Sequence, residues 1–164
     1  ILALLAYQDF KSRRVSVFLF PVLFLLLVIT AYKQEGLMVV VKNFSLNLMF
    51  LLSQVLSLTL FYSMKEKKWI NITKKHIGLG DILFFICLCP FFSFLFFILY
   101  YISTLCIITI LFAIATFFVP RLRNSVPLAG ALAVFFMVFQ WVLFFKEINL
   151  ADDEFVLRLI KNFS

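Results

Sequence analysis

Two aspartates, Asp9 and Asp81, are the residues of this 164-residue chain whose type and placement could do chemistry. Each lies where a polar segment meets an apolar one, and an acid at the mouth of a membrane segment is costly enough to suggest a function. Two carboxylates held close together cannot both ionise easily, so one keeps a proton near neutral pH. The ionised carboxylate can then activate a water while the protonated one hydrogen-bonds a peptide carbonyl. The pair titrates as a unit, so neither acid has a fixed role.

A structural explanation of the same acids is also open. Asp9 is followed by Arg13 and can pair with it at a helix end. Asp81 stands where it can cap a helix, because aspartate is favourable near a helix N-terminus. Gly78 and Gly80 precede it and allow the backbone to bend and other groups to approach closely. No periodicity in the sequence shows that the helices carrying the two acids are neighbours.

Composition decides the class of protein. The chain is 65% hydrophobic and 14% charged, with a mean hydropathy of +1.11, whereas a soluble domain is about half apolar and a quarter charged. The apolar residues form long uninterrupted runs, which indicates an integral membrane protein. The three cysteines lie inside these runs without a paired CxxC spacing. Zinc and disulfide sites are therefore disfavoured, and we expect no metal and no cofactor.

The apolar runs predict an all-α membrane protein, a single polytopic domain over residues 1–164. The uncharged run 82–119 is too long for one crossing. Its break is expected near Pro90 to Ser93, because proline interrupts a helix. The remnant before Gln8 is too short to cross a bilayer, so we expect upstream residues of a first helix. The sequence therefore predicts six transmembrane helices, followed by an amphipathic C-terminal tail on the membrane surface over about 147–164. The predicted helices cover about 1–10, 15–31, 46–62 (with a start as early as Leu37), 81–89, 94–119 and 126–145.

The charges predict the orientation. Six helices place ten of the 15 Lys and Arg on one side of the membrane and five on the other, and the basic side is expected to be cytoplasmic. The net charge of +7 therefore reports topology first and does not call for a nucleic-acid partner. The basic side holds three acids, Asp9, Glu66 and Asp81, and Glu66 stands among lysines as a solvated partner. Topology alone puts Asp9 and Asp81 at one depth, on the cytoplasmic face of a multi-pass protein of the cytoplasmic membrane.

The run from Asp9 to Val15, with Arg13 and Arg14, and the later Gly78-Leu79-Gly80-Asp81 resemble the type IV prepilin peptidase family. In that family a first aspartate precedes an Arg-rich turn and a second lies in a GxGD motif. The segment 126–130 is similar to the proline–glycine opening of the family's last helix.

The resemblance implies an intramembrane aspartic endopeptidase with Asp9 and Asp81 as the catalytic pair. Gly78, Leu79 and Gly80 would be the motif residues at the cleavage site, where the glycines leave room for an extended substrate. The implied substrate is a pilin-like precursor of a type IV pilus or secretion system, cut after a short basic leader. The implied partners are that precursor and the lipid bilayer, with no nucleic acid.

Some residues depart from the family pattern. Ser16-Val17 stands where the family usually has Pro-Asn, and Leu83 where it often has Lys. The four-cysteine domain of the long forms is absent, so we expect no N-methyltransferase activity. Presenilin-like and signal-peptide-peptidase-like enzymes share GLGD, but their first aspartate belongs to a later helix of a longer chain.

The sequence leaves two other functions open. One is a catalytically degenerate membrane assembly or binding protein of the same fold. The other is a small proton-carrying transporter, which the lack of an inverted repeat and of further mid-membrane acids disfavours.

Overall fold

The computed structural model describes residues 1–12, 15–67, 78–118, 128–146 and 161, and within these ranges every regular element is an α-helix. The all-α prediction is confirmed for this part of the chain. Helices suit such apolar runs because each backbone polar group finds its partner within the segment. Of the predicted tail over 147–164, all but Lys161 lies outside the described residues. The helices are α1 (Leu2–Ser12), α2 (Leu19–Glu35), α3 (Leu37–Glu66), α4 (Leu79–Leu88), α5 (Phe94–Phe118) and α6 (Leu128–Lys146).

The helices pack as a bundle in which α4 and α6 are central. α6 packs along α1 and also contacts α4 and α5, while α2 packs against α4 and α3. Aromatic side chains fill the middle of the bundle. The fully buried Phe92 stacks on Tyr100 at 5.1 Å between ring centroids and meets Phe136 edge-on at 5.8 Å. Edge-to-face and offset contacts of this kind add to the stabilisation from burial.

The connection between α2 and α3 is a single residue, Gly36. Its φ of 81° lies in the left-handed region, which only glycine adopts at little cost. α3 therefore begins at Leu37, the earliest predicted start, and runs to Glu66, past the predicted end at Tyr62. The polar residues Asn43 and Asn47 do not interrupt it, because both side chains are buried against the neighbouring helices.

The chain breaks between α4 and α5 where proline was expected to break it. Pro90 has no N–H to donate to the carbonyl of Ile86, and the N–H of Cys89 donates to that carbonyl instead, at 3.2 Å. From α3, Asn47 Nδ2 donates to the carbonyl oxygens of Cys89 at 2.9 Å and Phe92 at 2.8 Å. The end of α4 is thus fixed from a neighbouring helix.

Membrane crossing is supported for two helices by length and composition. These are Leu37–Glu66 and the Phe94–Ile114 part of α5, the two candidate spans in the described part of the chain. Only 11% and 28% of their most apolar windows are buried inside the protein, unlike the core helix of a soluble domain. α4 rises only about 15 Å, half of the roughly 30 Å hydrocarbon layer, because Pro90 ends it. Helix length thus supports two crossings and not the six that the sequence predicted.

Candidate active site

Asp9 lies near the end of α1, on the face that packs against α6. It is 7% exposed, and its Oδ2 accepts a hydrogen bond from the backbone N–H of Gly130 at 2.6 Å. Gly130 is in the first turn of α6, where backbone N–H groups have no partner within the helix. The positive end of the helix dipole also favours a carboxylate there. The start of α6 therefore holds one oxygen of Asp9 in place.

Glycine at position 130 is required by this close approach. A Cβ at Gly130 would lie 3.0 Å from Asp9 Cβ, 3.1 Å from Asp9 Oδ2 and 3.3 Å from the carbonyl oxygen of Ala6. Contacts this short force the neighbours to move, and one of them is backbone. The absence of a side chain lets α1 and α6 meet closely enough for the hydrogen bond.

Asp81 lies in the first turn of α4 and is 9% exposed. Its carboxylate accepts a hydrogen bond from the backbone N–H of Gly78, the residue that caps this helix. An acid at the third helical position that reaches back to the N-cap N–H is one half of a capping box. Asp81 therefore caps α4, as the structural explanation expects, and this role does not conflict with a chemical one.

The two acids lie within electrostatic reach of each other. Burial, and after it the nearby negative charge of Asp9, raise the pKa of Asp81 from 3.8 to about 7. Asp81 lies outside the two candidate spans, at the mouth of a short helix. The raised pKa leaves the Asp81 carboxyl able to carry a proton near neutral pH.

Two consecutive small residues of α6, Ala129 and Gly130, contact the helices that carry the two acids. Gly130 contacts Asp9 on α1, while a Cβ at Gly80 on α4 would lie 3.7 Å from Ala129 Cβ. The first turn of α6 thus stands between the helices that carry the acids. Sequence reasoning named neither residue as part of the site, although the proline–glycine similarity over 126–130 pointed to this turn.

The motif residues before Asp81 have different surroundings. Gly78 has an ordinary extended backbone, and its missing Cβ is what matters, because a Cβ there would lie 2.8 Å from Asp81 Oδ2. Gly80 borders Ala129 and Phe20 of the same chain. The expected room for a substrate at these glycines is therefore taken up by the protein itself. Leu79, in contrast, is 62% exposed and can contact another molecule.

The proposed pairing of Asp9 with Arg13 falls on a residue outside the described ranges. The basic residue of α1 that is described, Lys11, donates from Nζ to Tyr7 Oη at 3.0 Å and lies over its ring. The charge of Lys11 is thus engaged by Tyr7 and not by Asp9.

The chemistry available at this site is that of two carboxylates. Within the described ranges no three His, Cys, Asp or Glu side chains come together as metal ligands. No protein-family model, curated protein or solved structure matches the chain. Carboxyl groups can activate a water in the ionised form and hydrogen-bond a carbonyl oxygen in the protonated form.

Proposed function

We propose that this chain is an intramembrane aspartic endopeptidase of the type IV prepilin peptidase kind, with Asp9 and Asp81 as its catalytic pair. The observation that carries the proposal is that two buried acids from distant parts of the sequence lie within electrostatic reach of each other, with the pKa of Asp81 raised to about 7. Burial of a carboxylic acid is expensive, and a buried, coupled pair with a perturbed pKa is typical of catalytic sites. The resemblance of the segments around both acids supports the same function.

Hydrolysis follows from sharing one proton. The ionised carboxylate takes a proton from a water molecule, and the oxygen of that water attacks the scissile carbonyl carbon. At the same time the protonated carboxylic acid donates a hydrogen bond to the carbonyl oxygen. Collapse of the tetrahedral intermediate breaks the C–N bond, and a proton passes from the pair to the leaving amine. The N–H of Gly130 keeps Asp9 oriented throughout, and the N–H of Gly78 does the same for Asp81. Fixed geometry of this kind lowers the barrier by avoiding reorganisation.

The proposed setting is the cytoplasmic membrane, with a multi-pass fold of six helices and the acids at the cytoplasmic rim. Support comes from the excess of Lys and Arg in the segments on the side of Asp9 and Asp81. The proposed substrate is a pilin-like precursor with a short basic leader followed by an apolar helix. The exposed Leu79 next to the acids offers an apolar contact to such a helix. The mechanism needs no metal and no cofactor.

The test is processing of a co-expressed pilin-like precursor. We expect the wild type to shorten the precursor and Asp9→Asn and Asp81→Asn each to abolish the shortened product, because either change removes the shared proton. Glu66→Gln is the matched control, since Glu66 is the third acid expected on the basic side and lies at the last position of α3, outside the pair, and it should process normally. All variants should reach the membrane at wild-type levels.

Processing that persists in either Asp variant would exclude the pair as the catalytic groups. If the wild type cuts no precursor, the alternative of a degenerate assembly or binding protein is favoured, with Asp81 acting as a helix cap.

A further inference from the structure

Three buried polar side chains lie on α3 and at the break between α4 and α5. Asn43, Asn47 and Ser93 are 6%, 0% and 2% exposed. Asn43 and Asn47 are four residues apart on α3 and so lie on one face of it. Asn47 donates to the carbonyl of Phe92, the residue directly before Ser93. The three side chains therefore belong to one region of the bundle.

Each of these side chains has a polar atom without a hydrogen-bond partner among the described residues: Asn43 Nδ2, Asn47 Oδ1 and Ser93 Oγ. The orientation of the Asn47 amide is determined by its surroundings, because both of its N–H donors point at carbonyl oxygens. A flipped amide would place its oxygen against those carbonyls, so Oδ1 is the atom left over. A buried polar atom left unpaired is unfavourable and calls for a partner.

The three unpaired atoms form a complementary set. Asn43 Nδ2 is a donor, Asn47 Oδ1 is an acceptor, and the Ser93 hydroxyl is both. Buried waters typically make about three hydrogen bonds to groups of this kind. Cys89, Phe92 and Phe97 around the break are fully buried, which separates the region from bulk solvent.

We propose that Asn43, Asn47 and Ser93 bind one internal water molecule between α3 and the α4–α5 break. The water accepts from Asn43 Nδ2, donates to Asn47 Oδ1 and bonds to Ser93 Oγ. It completes the polar connection by which Asn47 holds the end of α4. The site does not depend on the proposed peptidase activity.

A double-mutant cycle tests the shared water through thermal unfolding midpoints in detergent. Asn43→Leu and Ser93→Ala each remove one water partner and should each lower the midpoint. Because one water links the two side chains, the midpoint of the double variant should fall by clearly less than the sum of the two single-variant shifts. Ser53→Ala is the matched control, since the Ser53 hydroxyl donates to the Phe50 carbonyl on its own exposed helix face. Its shift should simply add to that of Asn43→Leu.

A second measurement detects the water directly by NMR. The side-chain amide protons of Asn47 should show a cross-peak to a long-lived water in the wild type and in Asp81→Asn, and lose it in Asn43→Leu. Additive midpoint shifts, or an Asn47 amide with no water cross-peak in the wild type, would overturn the proposal. The Asp81→Asn sample separates this result from any failure of the peptidase assignment.

Discussion

At the scale of single residues, the two acids differ in how the backbone holds them. Asp9 receives the N–H of Gly130 from another helix, and Asp81 receives the N–H of Gly78 from its own. A local cap such as that of Asp81 is readable from sequence, since glycine and aspartate stand three positions apart at a helix start. The hydrogen bond from Gly130 to Asp9 joins residues 121 positions apart, and no local sequence pattern predicts it.

Gly130→Ala is expected to lower precursor processing by about tenfold to a hundredfold, since misplacing a catalytic group by around an ångström costs that much. The new Cβ would lie 3.0 Å from Asp9 Cβ and would displace that side chain from its position. Gly80→Ala is the matched control, because a Cβ there meets its nearest neighbour at 3.7 Å, an ordinary contact. Initial rates on one precursor measure the difference, and equal rates for the two variants would contradict the role given to Gly130.

The raised pKa of Asp81 predicts a pH-dependent stability. Between about pH 4 and pH 7 the folded protein keeps a proton on Asp81 that the unfolded chain releases. The free energy of unfolding therefore falls as the pH rises through this window and levels off above it. The loss is on the order of 2 kcal/mol, given about 1.4 kcal/mol per pKa unit and partial screening.

Thermal unfolding of the detergent-solubilised protein at pH 5 and pH 8 measures this effect. Asp81→Asn should flatten the dependence and be the more stable protein at pH 8, since its amide oxygen can still accept from the Gly78 N–H. A variant with the same pH dependence as the wild type would show that Asp81 does not hold the proton.

At the scale of helices, α4 is defined at both ends by other parts of the chain. Its first turn packs against Ala129 and Phe20, and the carbonyls of Cys89 and Phe92, directly after its last turn, accept from Asn47. The thiol of Cys87 also donates to the Phe20 carbonyl at 3.3 Å and links α4 to α2. A ten-residue helix is marginal alone, so these contacts determine where Asp81 stands.

Asn47→Ala is expected to destabilise the protein by about 2–4 kcal/mol, because it leaves two buried carbonyl oxygens without a donor. Unfolding in detergent measures the loss. Ser53→Ala on the exposed face of the same helix should change stability by less than about 0.5 kcal/mol. A shift for Asn47→Ala as small as that of the control would mean that the break is held by other contacts.

At the scale of the whole molecule, the outer surface is apolar. Large hydrophobic side chains are exposed along the described chain, among them Phe18 at 84% just before α2, and Met38 at 88% and Met64 at 79% on α3. Contiguous exposed apolar surface marks contact with a membrane or a partner. It agrees with the two candidate spans and with the composition.

The orientation of this surface is testable with reporter fusions. A periplasm-active reporter fused after Gly36 and a cytoplasm-active reporter fused after Lys67 should both be active, because α3 would cross between them with its basic end inside. The swapped fusions, each reporter at the other site, are the controls and should be inactive. The reverse pattern would place Asp81 on the outer face and contradict the cytoplasmic site.

Composition and local backbone chemistry by themselves determined the helical class, the apolar surface, the break at Pro90 and the identity of the two acids. Each of these follows from residue type or from neighbours a few positions away. Only the tertiary structure decided that the first turn of α6 contacts both helices that carry the acids, and that Asn47 reaches the break. Such contacts join residues far apart in the chain, and they arise from how apolar helices pack, which uniformly apolar sequence runs do not encode.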